Sequence, residues 1–339
     1  MDNIIEDMPL VDLHLHIDGA LGLSKAYEII KRDNIDVGKE INSIEDLKDL
    51  LIVPDDVDSL DGFLERFVVP VKLLQTKEHI EELVEDLVVR LANEKVIYAE
   101  LRFAPQLHTN EGMLMEEVVE AALNGMNNGM KKCDNIKCKL ILCMMRGASM
   151  DKNRDTITVA SKYLDKGVAG IDLAGAEGLY PTKDYEEFFE YAKERHVPFT
   201  IHAGEASGPD SVKCAIDFGT SRIGHGIAIK DDKEVYDEVK HKSILLEVCP
   251  TSNVKTNTVS SLEEHPIKQF FDDGLNVCIN TDDMTLQGST LREEYYNLKN
   301  IFNFSYQDMI KLNINAIKSS FMNEEDKPKY IKLLETYLN

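Results

Sequence analysis

The sequence predicts an α/β protein, a closed parallel (β/α)8 barrel of the TIM type, with extra helices between strands one and two and at the C-terminus. Eight strand-like segments alternate with helical segments along the 339 residues. Eight such units in one chain fit a closed barrel better than an open sheet. No Gly-x-Gly-x-x-Gly follows the first strand, which disfavours an open dinucleotide-binding sheet. No linker or low-complexity segment interrupts the pattern, so we expect a single domain over residues 1–339.

Composition narrows the class of protein and of partner. The chain is 43% hydrophobic and 29% charged, which allows a large buried core, and its formal net charge is -23. Nucleic acid and anionic membrane surfaces bind basic patches, so neither is an expected partner. The N-terminus has no basic region followed by an apolar run, and no segment is long enough to span a membrane. The six cysteines form no Cys-x-x-Cys pair. We expect a cytoplasmic enzyme with reduced thiols that acts on a small molecule.

The first strand lies in residues 9–20, PLVDLHLHIDGA, where apolar residues alternate with Asp12, His14 and His16. Residues 21–95 read as helical, with one short helix over residues 24–32 and a second capped by Ser43. An apolar stripe containing Leu60, Phe63 and Phe67 follows at helical spacing and should end at Pro70. The stripe is explained either by ordinary core packing or by a hydrophobic lid over a site. Residues 80–91 form a further amphipathic helix.

From residue 96 onward, strands and helices alternate. The predicted strands cover residues 96–103, 139–145, 168–174, 197–202, 223–225, 243–249 and 275–281. The predicted helices between them cover residues 116–130, 154–164, 184–193, 210–218, 233–240 and 266–271, and helices fill the remainder.

Unusual residues, nearly all of them polar, collect where these strands end, which is where barrels of this type place their functional groups. They are His14 and His16 after strand one, Asp172, Gly175 and Glu177 at strand four, His202 and Glu205 at strand five, His225 at strand six, and Asp282 and Asp283 at strand eight. Polar residues placed at random would not favour one rim so consistently.

Four of these residues suit a zinc site. His14, His16, His202 and Asp282 supply three imidazoles and a carboxylate and leave a position for water. Zinc lowers the pKa of a bound water from 15.7 to about 7, which makes a nucleophile available at neutral pH. Strand four lacks the lysine that often bridges two metals in such barrels, so we expect one zinc per chain. The other histidines, His79, His108, His196, His241 and His265, are expected at the surface.

The neighbouring groups have two readings each. Glu205, three residues after His202, is a candidate proton donor in an apolar pocket, or else a structural carboxylate that caps the next helix. His225 could stabilise an oxygen during attack, although a histidine between glycines is also a common loop feature. Of Asp282 and Asp283, one ligates metal, and the other contacts substrate or caps a helix.

Along nearly its whole length the sequence resembles the adenosine deaminase family of the amidohydrolase barrels. The shared motifs, in family order, are LHLHIDGA, DLAGAE, HAGE, IGHG, VCPTSN, SLEEHP and NTDD. The Pro-Cys-x-x-Cys signature of cytidine-type zinc deaminases does not occur.

The resemblance implies zinc-dependent hydrolytic deamination of adenosine and 2′-deoxyadenosine to inosine and 2′-deoxyinosine, with release of ammonia. It implies zinc held by His14, His16, His202 and Asp282, with Glu205 protonating the purine N1 while water activated at the zinc attacks C6. The resemblance further implies that His225 and Asp282 orient this water, that Asp283 contacts N7 of the purine, and that the backbone of Gly175 contacts N3. Asp18 would bind the ribose 5′-hydroxyl. A hydrophobic lid would consist of Leu60, Phe63 and Phe67.

Two local departures from the family pattern leave the substrate range open. Met284 follows NTDD where proline is frequent, and Ala176 and Gly178 are small for the loop after strand four. The alternatives are another 6-aminopurine as substrate (adenine, methylthioadenosine or aminofutalosine), an amidase using the same zinc, and a non-catalytic binding barrel. Asp18 favours a nucleoside over a free base. None of the predicted ligands is missing, which disfavours a non-catalytic barrel.

Overall fold

The structure, a computed structural model, describes residues 2–54 and 59–338. Its eight strands are β1 (Leu10–His16), β2 (Val96–Phe103), β3 (Lys137–Met145), β4 (Val168–Ala174), β5 (Ile201–Ala203), β6 (Arg222–His225), β7 (Leu245–Val248) and β8 (Val277–Ile279). All neighbouring strands that pair are parallel. This arrangement confirms the predicted (β/α)8 barrel.

The barrel closes at two seams between the sheets β1–β4 and β5–β8. At one seam Ile171 bridges to Phe199, and at the other Leu15 bridges to Asp282. The second seam is tight, because the Asp282 amide donates to the His14 carbonyl and the His16 amide donates to the Asp282 carbonyl, each at 2.8 Å. Residues from the two ends of the chain are thereby held side by side.

The helices surround the strands and also fill the two predicted insertions. Before β2 lie α1 (Asp2–Asp7), α2 (Leu23–Asp33), α3 (Ile44–Leu51), α4 (Leu60–Leu64), α5 (Val68–Leu73) and α6 (Lys77–Asn93). Between the later strands lie α7 (Met115–Lys132), α8 (Met150–Tyr163), α9 (Glu186–Glu194), α10 (Pro209–Asp217), α11 (Lys233–His241), α12 (Pro250–Lys255) and α13 (Ile267–Asp272). After β8 come α14 (Met284–Gln287), α15 (Leu291–Asn300), α16 (Tyr306–Ser319) and α17 (Lys327–Glu335).

Two predicted boundaries differ from the structure for reasons of backbone chemistry. The strand predicted at residues 197–202 is shorter, because Pro198 has no N–H to donate and β5 begins only at Ile201. Pro70 does not end the apolar stripe. It lies in the first turn of α5, where the missing N–H would have no helical partner anyway. The helix breaks earlier, in a 3-10 turn at Glu65–Phe67.

The expected surface positions of five histidines were partly wrong. His196 and His241 are exposed, but His79, His108 and His265 are buried, and His108 is 0% exposed. The prediction took charged neighbours as a sign of exposure. A histidine among charged neighbours is nevertheless buried when its own side chain faces the core.

The barrel strands are buried along nearly their whole length, as expected for a parallel sheet covered by helices. Within the described ranges, no helix is long and apolar enough to cross a membrane. The single domain over residues 1–339 stays a prediction, and residues 1, 55–58 and 339 of that range lie outside the described part of the chain.

Candidate metal centre and active site

A cavity of about 300 Å³ lies at the carboxyl ends of the strands. All but one of the residues with a predicted metal-binding, catalytic or substrate-binding role line this cavity. They are His16, Asp18, Leu60, Phe63, Phe67, Gly175, His202, Glu205, His225, Asp282 and Asp283. The remaining one, His14, is 0% exposed and lies directly behind His16 and His202. Residues from five strand ends and from the helices before β2 therefore form one site.

The four predicted ligands converge on one point. His14 Nε2 lies 3.0 Å from His202 Nε2, and His16 Nε2 lies 3.3 Å from the same atom. Asp282 Oδ1 lies 3.3 Å from His14 Nε2 and 3.4 Å from His16 Nε2. Two ligands each about 2.0–2.1 Å from a tetrahedral zinc would be about 3.3 Å apart. The spacing fits a single small cation.

The protonation pattern of the imidazoles also fits a cation. His14 Nδ1 lies 2.8 Å from Glu247 Oε2, and His202 Nδ1 lies 2.8 Å from Asp172 Oδ2. A nitrogen facing a carboxylate oxygen carries the hydrogen, so in the uncharged form of the two rings the lone pairs of their Nε2 atoms face each other. Two lone pairs at 3.0 Å repel each other unless a cation lies between them. The donor set therefore suits a divalent metal ion.

The fourth ligand is held by its own partners. Ser252 Oγ donates to Asp282 Oδ2 at 2.6 Å, which leaves Oδ1 facing the imidazoles.

The backbone around the site is strained. Asp282 has φ +68° and His225 has φ +60°, a left-handed conformation that costs non-glycine residues energy. At Gly224, a Cβ would lie 2.8 Å from the His14 ring, so only glycine lets β6 approach β1 this closely.

Beneath the ligands lies a fully buried ion network. Arg102 donates to Asp172 Oδ2 and to Glu247 Oε2, each at 2.8 Å, so one guanidinium joins the two carboxylates that orient His202 and His14. Arg222 donates to the other oxygen of Glu247 at 2.8 Å and to Glu100 at 2.6 Å. The two arginines and three carboxylates of this network are 0% exposed.

The arginines act on these carboxylates through charge. Burial alone would raise the pKa values of Glu247 and Asp172. Arg222 and Arg102 instead hold the pKa of Glu247 well below 4.5, and His202 and Arg102 lower the pKa of Asp172. Two guanidinium groups thus face three buried carboxylates, and Asp282 adds a fourth. The excess of two negative charges matches one divalent cation.

Glu205 lies beside the metal ligands on the pocket wall. Burial, reinforced by the negative charges of Asp282 and Glu177, raises the pKa of Glu205 well above 4.5. These surroundings favour the protonated form of the carboxyl, which can donate a proton.

The loop that carries Glu205 is bound by a second buried carboxylate. Glu177 Oε1 accepts from the Gly204 amide at 2.8 Å, and Oε2 accepts from the amides of residues 205, 206 and 207 at 3.0, 2.8 and 3.0 Å. Four successive N–H groups thus surround one carboxylate in a backbone nest. Glu177 is 1% exposed and fixes the course of this loop.

His225 completes the polar end of the pocket. Its Nε2 lies 3.5 Å from Glu205 Oε2 and 3.8 Å from Asp282 Oδ2. Burial lowers the pKa of His225 well below 6.5, so its ring is neutral.

Two further carboxyls lie close together. Burial raises the pKa of Asp18 to about 7, and burial together with the charges of Asp282 and Asp18 raises that of Asp283 well above 3.8. One oxygen of each has no hydrogen-bond partner. A Cβ at Gly19 would lie 1.7 Å from Asp283 Oδ1, so glycine is required for this approach.

The rest of the cavity wall is apolar. The rings of Phe63 and Phe67 lie 6.3 Å apart between centroids, and Leu60 lines the cavity on the same segment. Leu107, Met145 and other small or apolar side chains face them across the cavity. The pocket therefore combines a largely apolar wall with a polar floor, as sites for small molecules do.

Sequence reasoning singled out Asp172 at strand four but missed the charged groups around it. Arg102, Asp172, Arg222 and Glu247 were not recognised as an ion network, although each is a charged residue within an apolar strand segment. Such a charge is rarely buried without a partner, so its position alone signals an internal ion pair.

Comparison with known proteins agrees with this geometry. The family model described as Adenosine deaminase matches residues 9–337. The chain is 41% identical over 322 residues to the adenosine deaminase of Haemophilus ducreyi, covering 94% of this chain and 93% of that protein. It is 39% identical over 326 residues to that of Clostridium perfringens, covering 95% and 97%.

Solved structures show the same architecture. The adenine deaminase from Arthrobacter aurescens superposes with a TM-score of 0.88 at 27% identity, covering 98% of this chain and 99% of that one. The N6-methyl-AMP deaminase from Arabidopsis thaliana has a TM-score of 0.86 at 24% identity, covering 99% and 98%, a likeness in fold alone. With the match to the family model and its relatives, the chain belongs to the adenosine deaminase family.

Proposed function

We propose that this protein hydrolyses adenosine and 2′-deoxyadenosine to inosine and 2′-deoxyinosine with release of ammonia, as a single-domain cytoplasmic enzyme of purine salvage. The relatives at 39–41% identity carry the name adenosine deaminase. The observation that carries the proposal is the position of Glu205, a buried carboxyl with a raised pKa, beside the four converging side chains that could hold a metal, in a largely apolar pocket.

We propose one zinc ion per chain, held by His14, His16, His202 and Asp282. Three imidazoles and one carboxylate are ligands that zinc accepts, and Asp282 together with the buried network beneath it leaves two negative charges to balance. When bound, zinc supplies a Lewis acid that lowers the pKa of a water to about 7.

The polar floor performs the proton chemistry of the reaction. Glu205 donates a proton to N1 of the purine, which makes C6 more electrophilic and prepares the ring to accept water. His225 and Asp282 flank the position of the attacking oxygen and orient it towards C6. The water gives up both of its hydrogens. One protonates the 6-amino group, which leaves as ammonia while C6 keeps the oxygen as a carbonyl, and the other replaces the proton that Glu205 donated.

The remaining predicted contacts hold the substrate. Asp283, whose raised pKa favours its protonated form, donates to N7, and the backbone of Gly175 contacts N3. Asp18 binds the 5′-hydroxyl of the sugar. Leu60, Phe63 and Phe67 cover the base as a hydrophobic lid, which excludes water from the site.

The main alternative is the same reaction on another 6-aminopurine. The structural similarity to an adenine deaminase is consistent with this alternative. A free base would leave the Asp18 carboxyl without its partner. Ammonia release should be measured on adenosine, 2′-deoxyadenosine, adenine, methylthioadenosine and aminofutalosine, with metal content determined on the same sample. Faster turnover of adenine than of adenosine would overturn the proposed substrate.

The Glu205→Gln variant tests the mechanism, because the amide fills the same space without an acidic proton. We expect kcat to fall by at least about 10²-fold while the metal content stays at one ion per chain. Unchanged deamination in this variant, or an amidase activity without release of ammonia from purines, would contradict the proposed reaction.

A further inference from the structure

Three buried side chains, His225, Asn253 and His265, form a hydrogen-bonded row that leads from the active site to the start of α13. We propose that Asn253 and His265 are positioning residues that hold His225 in the tautomer with hydrogen on Nε2, so that His225 donates a hydrogen bond to the oxygen that adds to C6. The consequence for catalysis rests on the proposed function, whereas the tautomer itself does not.

A backbone amide fixes the direction of the row. The amide of Ile267 donates to Nδ1 of His265 at 3.1 Å. A backbone N–H can only donate, so Nδ1 of His265 is an acceptor and carries no hydrogen. Burial lowers the pKa of His265 to about 3, so the ring is neutral and its hydrogen must lie on Nε2.

The hydrogen on His265 then fixes the amide of Asn253. His265 Nε2 lies 3.1 Å from Asn253 Oδ1, which accepts from it. With Oδ1 on that side, Nδ2 of Asn253 faces His225 Nδ1 at 3.1 Å and donates to it. The opposite orientation of the amide would place two donors against each other. Each bond in the row therefore has only one allowed direction.

The row decides the tautomer of His225. Since Nδ1 accepts from Asn253, the hydrogen of the neutral ring lies on Nε2. This Nε2 lines the cavity, is buried, and has no hydrogen-bond partner in the described structure. Its nearest carboxylate oxygens, on Glu205 and Asp282, lie at 3.5 and 3.8 Å. An unused donor thus faces the position of the attacking oxygen.

This tautomer limits what His225 can do. A ring whose Nε2 already carries hydrogen cannot remove a proton from water through that atom. It can instead stabilise negative charge on the oxygen as that oxygen bonds to C6, like a donor of an oxyanion hole. His225 is therefore a hydrogen-bond donor in the reaction and not its general base.

Nitrogen NMR of the holoenzyme labelled with ¹⁵N-histidine tests the tautomer directly, because a nitrogen that carries hydrogen and a bare ring nitrogen have well-separated shifts. At neutral pH we expect both His225 and His265 to show hydrogen on Nε2 alone, with the signals assigned through His225→Gln and His265→Gln. Hydrogen on Nδ1 of His225, or on both of its nitrogens, would overturn the proposal.

The Asn253→Asp variant should reverse the row. A carboxylate at this position has only acceptors, so Nδ1 of His225 must carry the hydrogen and Nε2 loses it. We expect the NMR signals of His225 to exchange their pattern, and kcat for adenosine to fall about 10²–10³-fold with KM little changed and one metal ion still bound. A variant with the exchanged tautomer and unchanged kcat would refute the catalytic role.

Substitutions at His265 separate positioning from packing. Glutamine can accept from the Ile267 amide through Oε1 and donate to Asn253 through Nε2, whereas alanine can do neither. We expect His265→Gln to lose less kcat than His265→Ala, and equal losses would count against the proposal. If the wild-type enzyme releases no ammonia from adenosine, the proposed function fails, but the NMR result still decides the tautomer.

Discussion

Replacing Asp172 with asparagine tests whether the buried ion network sets the affinity of the metal site. Asp172 Oδ2 accepts from Arg102 at 2.8 Å and lies 2.8 Å from His202 Nδ1, and Oδ1 accepts from the Leu173 amide at 2.7 Å. Asparagine has a neutral oxygen and an NH2 group, so one of these donors must face another donor. His202 then loses the anion that keeps its hydrogen on Nδ1, and Nε2 is no longer free to bind metal.

The expected effect can be estimated from comparable sites. Loss of a carboxylate behind a metal-binding histidine weakens metal affinity about 10–100-fold, which corresponds to about 1.4–2.7 kcal/mol. Removing one partner of a buried ion pair also destabilises a fold by about 3–5 kcal/mol, so the metal-free protein should melt at a lower temperature. Metal affinity is measured by competition with a chromophoric chelator at neutral pH, and stability by thermal unfolding of the metal-free protein.

Glu100→Gln is the matched control. Glu100 belongs to the same network and is 0% exposed, but its partners are Arg222, Tyr98 and the Phe321 amide, and none of them is a metal ligand. We expect a similar loss of stability with metal affinity within about twofold of wild type. Equal weakening of metal binding in both variants, or wild-type affinity in Asp172→Asn, would refute the reasoning.

Four further predictions follow from the geometry. Glu177→Gln removes an acceptor from the nest of four amides, so we expect the loop carrying Glu205 to exchange its amide hydrogens faster and kcat to fall about 10–100-fold; unchanged exchange in mass spectrometry would contradict this. Phe63→Ala opens the buried lid and should raise KM for adenosine more than it lowers kcat, as steady-state rates will show. Glu294 is 1% exposed, and burial raises its pKa to about 8. The folded state therefore binds this proton more tightly than the unfolded state, and stability is lost as pH rises from about 4.5 to about 8. Glu294→Gln should raise the melting temperature more at pH 9 than at pH 5, and equal increases at the two pH values would disprove this. Removing the metal with a chelator should lower the melting temperature and abolish ammonia release, and added zinc should restore both if zinc is the native ion.

The fold was predictable because its signals are local. Strands β2 and β4 coincide with apolar runs at residues 96–103 and 168–174. Ser43 caps α3 as predicted, and the structure shows that it does so in a capping box with Asp46. Two of the errors arose where a proline altered the backbone. Pro198 shortened β5, and Pro70 entered a helix that it was expected to end, because proline is tolerated in the first turn.

The site was predictable to the extent that its chemistry lies at strand ends. His14, His16, His202 and Asp282 converge as expected, because parallel strands of a barrel bring their carboxyl ends to one face. Their supporting groups were not predictable in the same way. Nothing in the local sequence of Arg102 shows that one guanidinium joins two carboxylates from β4 and β7.

The sequence by itself determined the order of strands and helices, the residue types available for metal and proton chemistry, and the face of the barrel on which they meet. Only the tertiary structure decided which hydrogens those residues carry. His265 was expected at the surface, yet it is 3% exposed and directs the hydrogen of His225 through Asn253. The reason is physical: periodicity along a chain reports which side of an element is buried, whereas a tautomer depends on donors and acceptors that distant segments bring into contact.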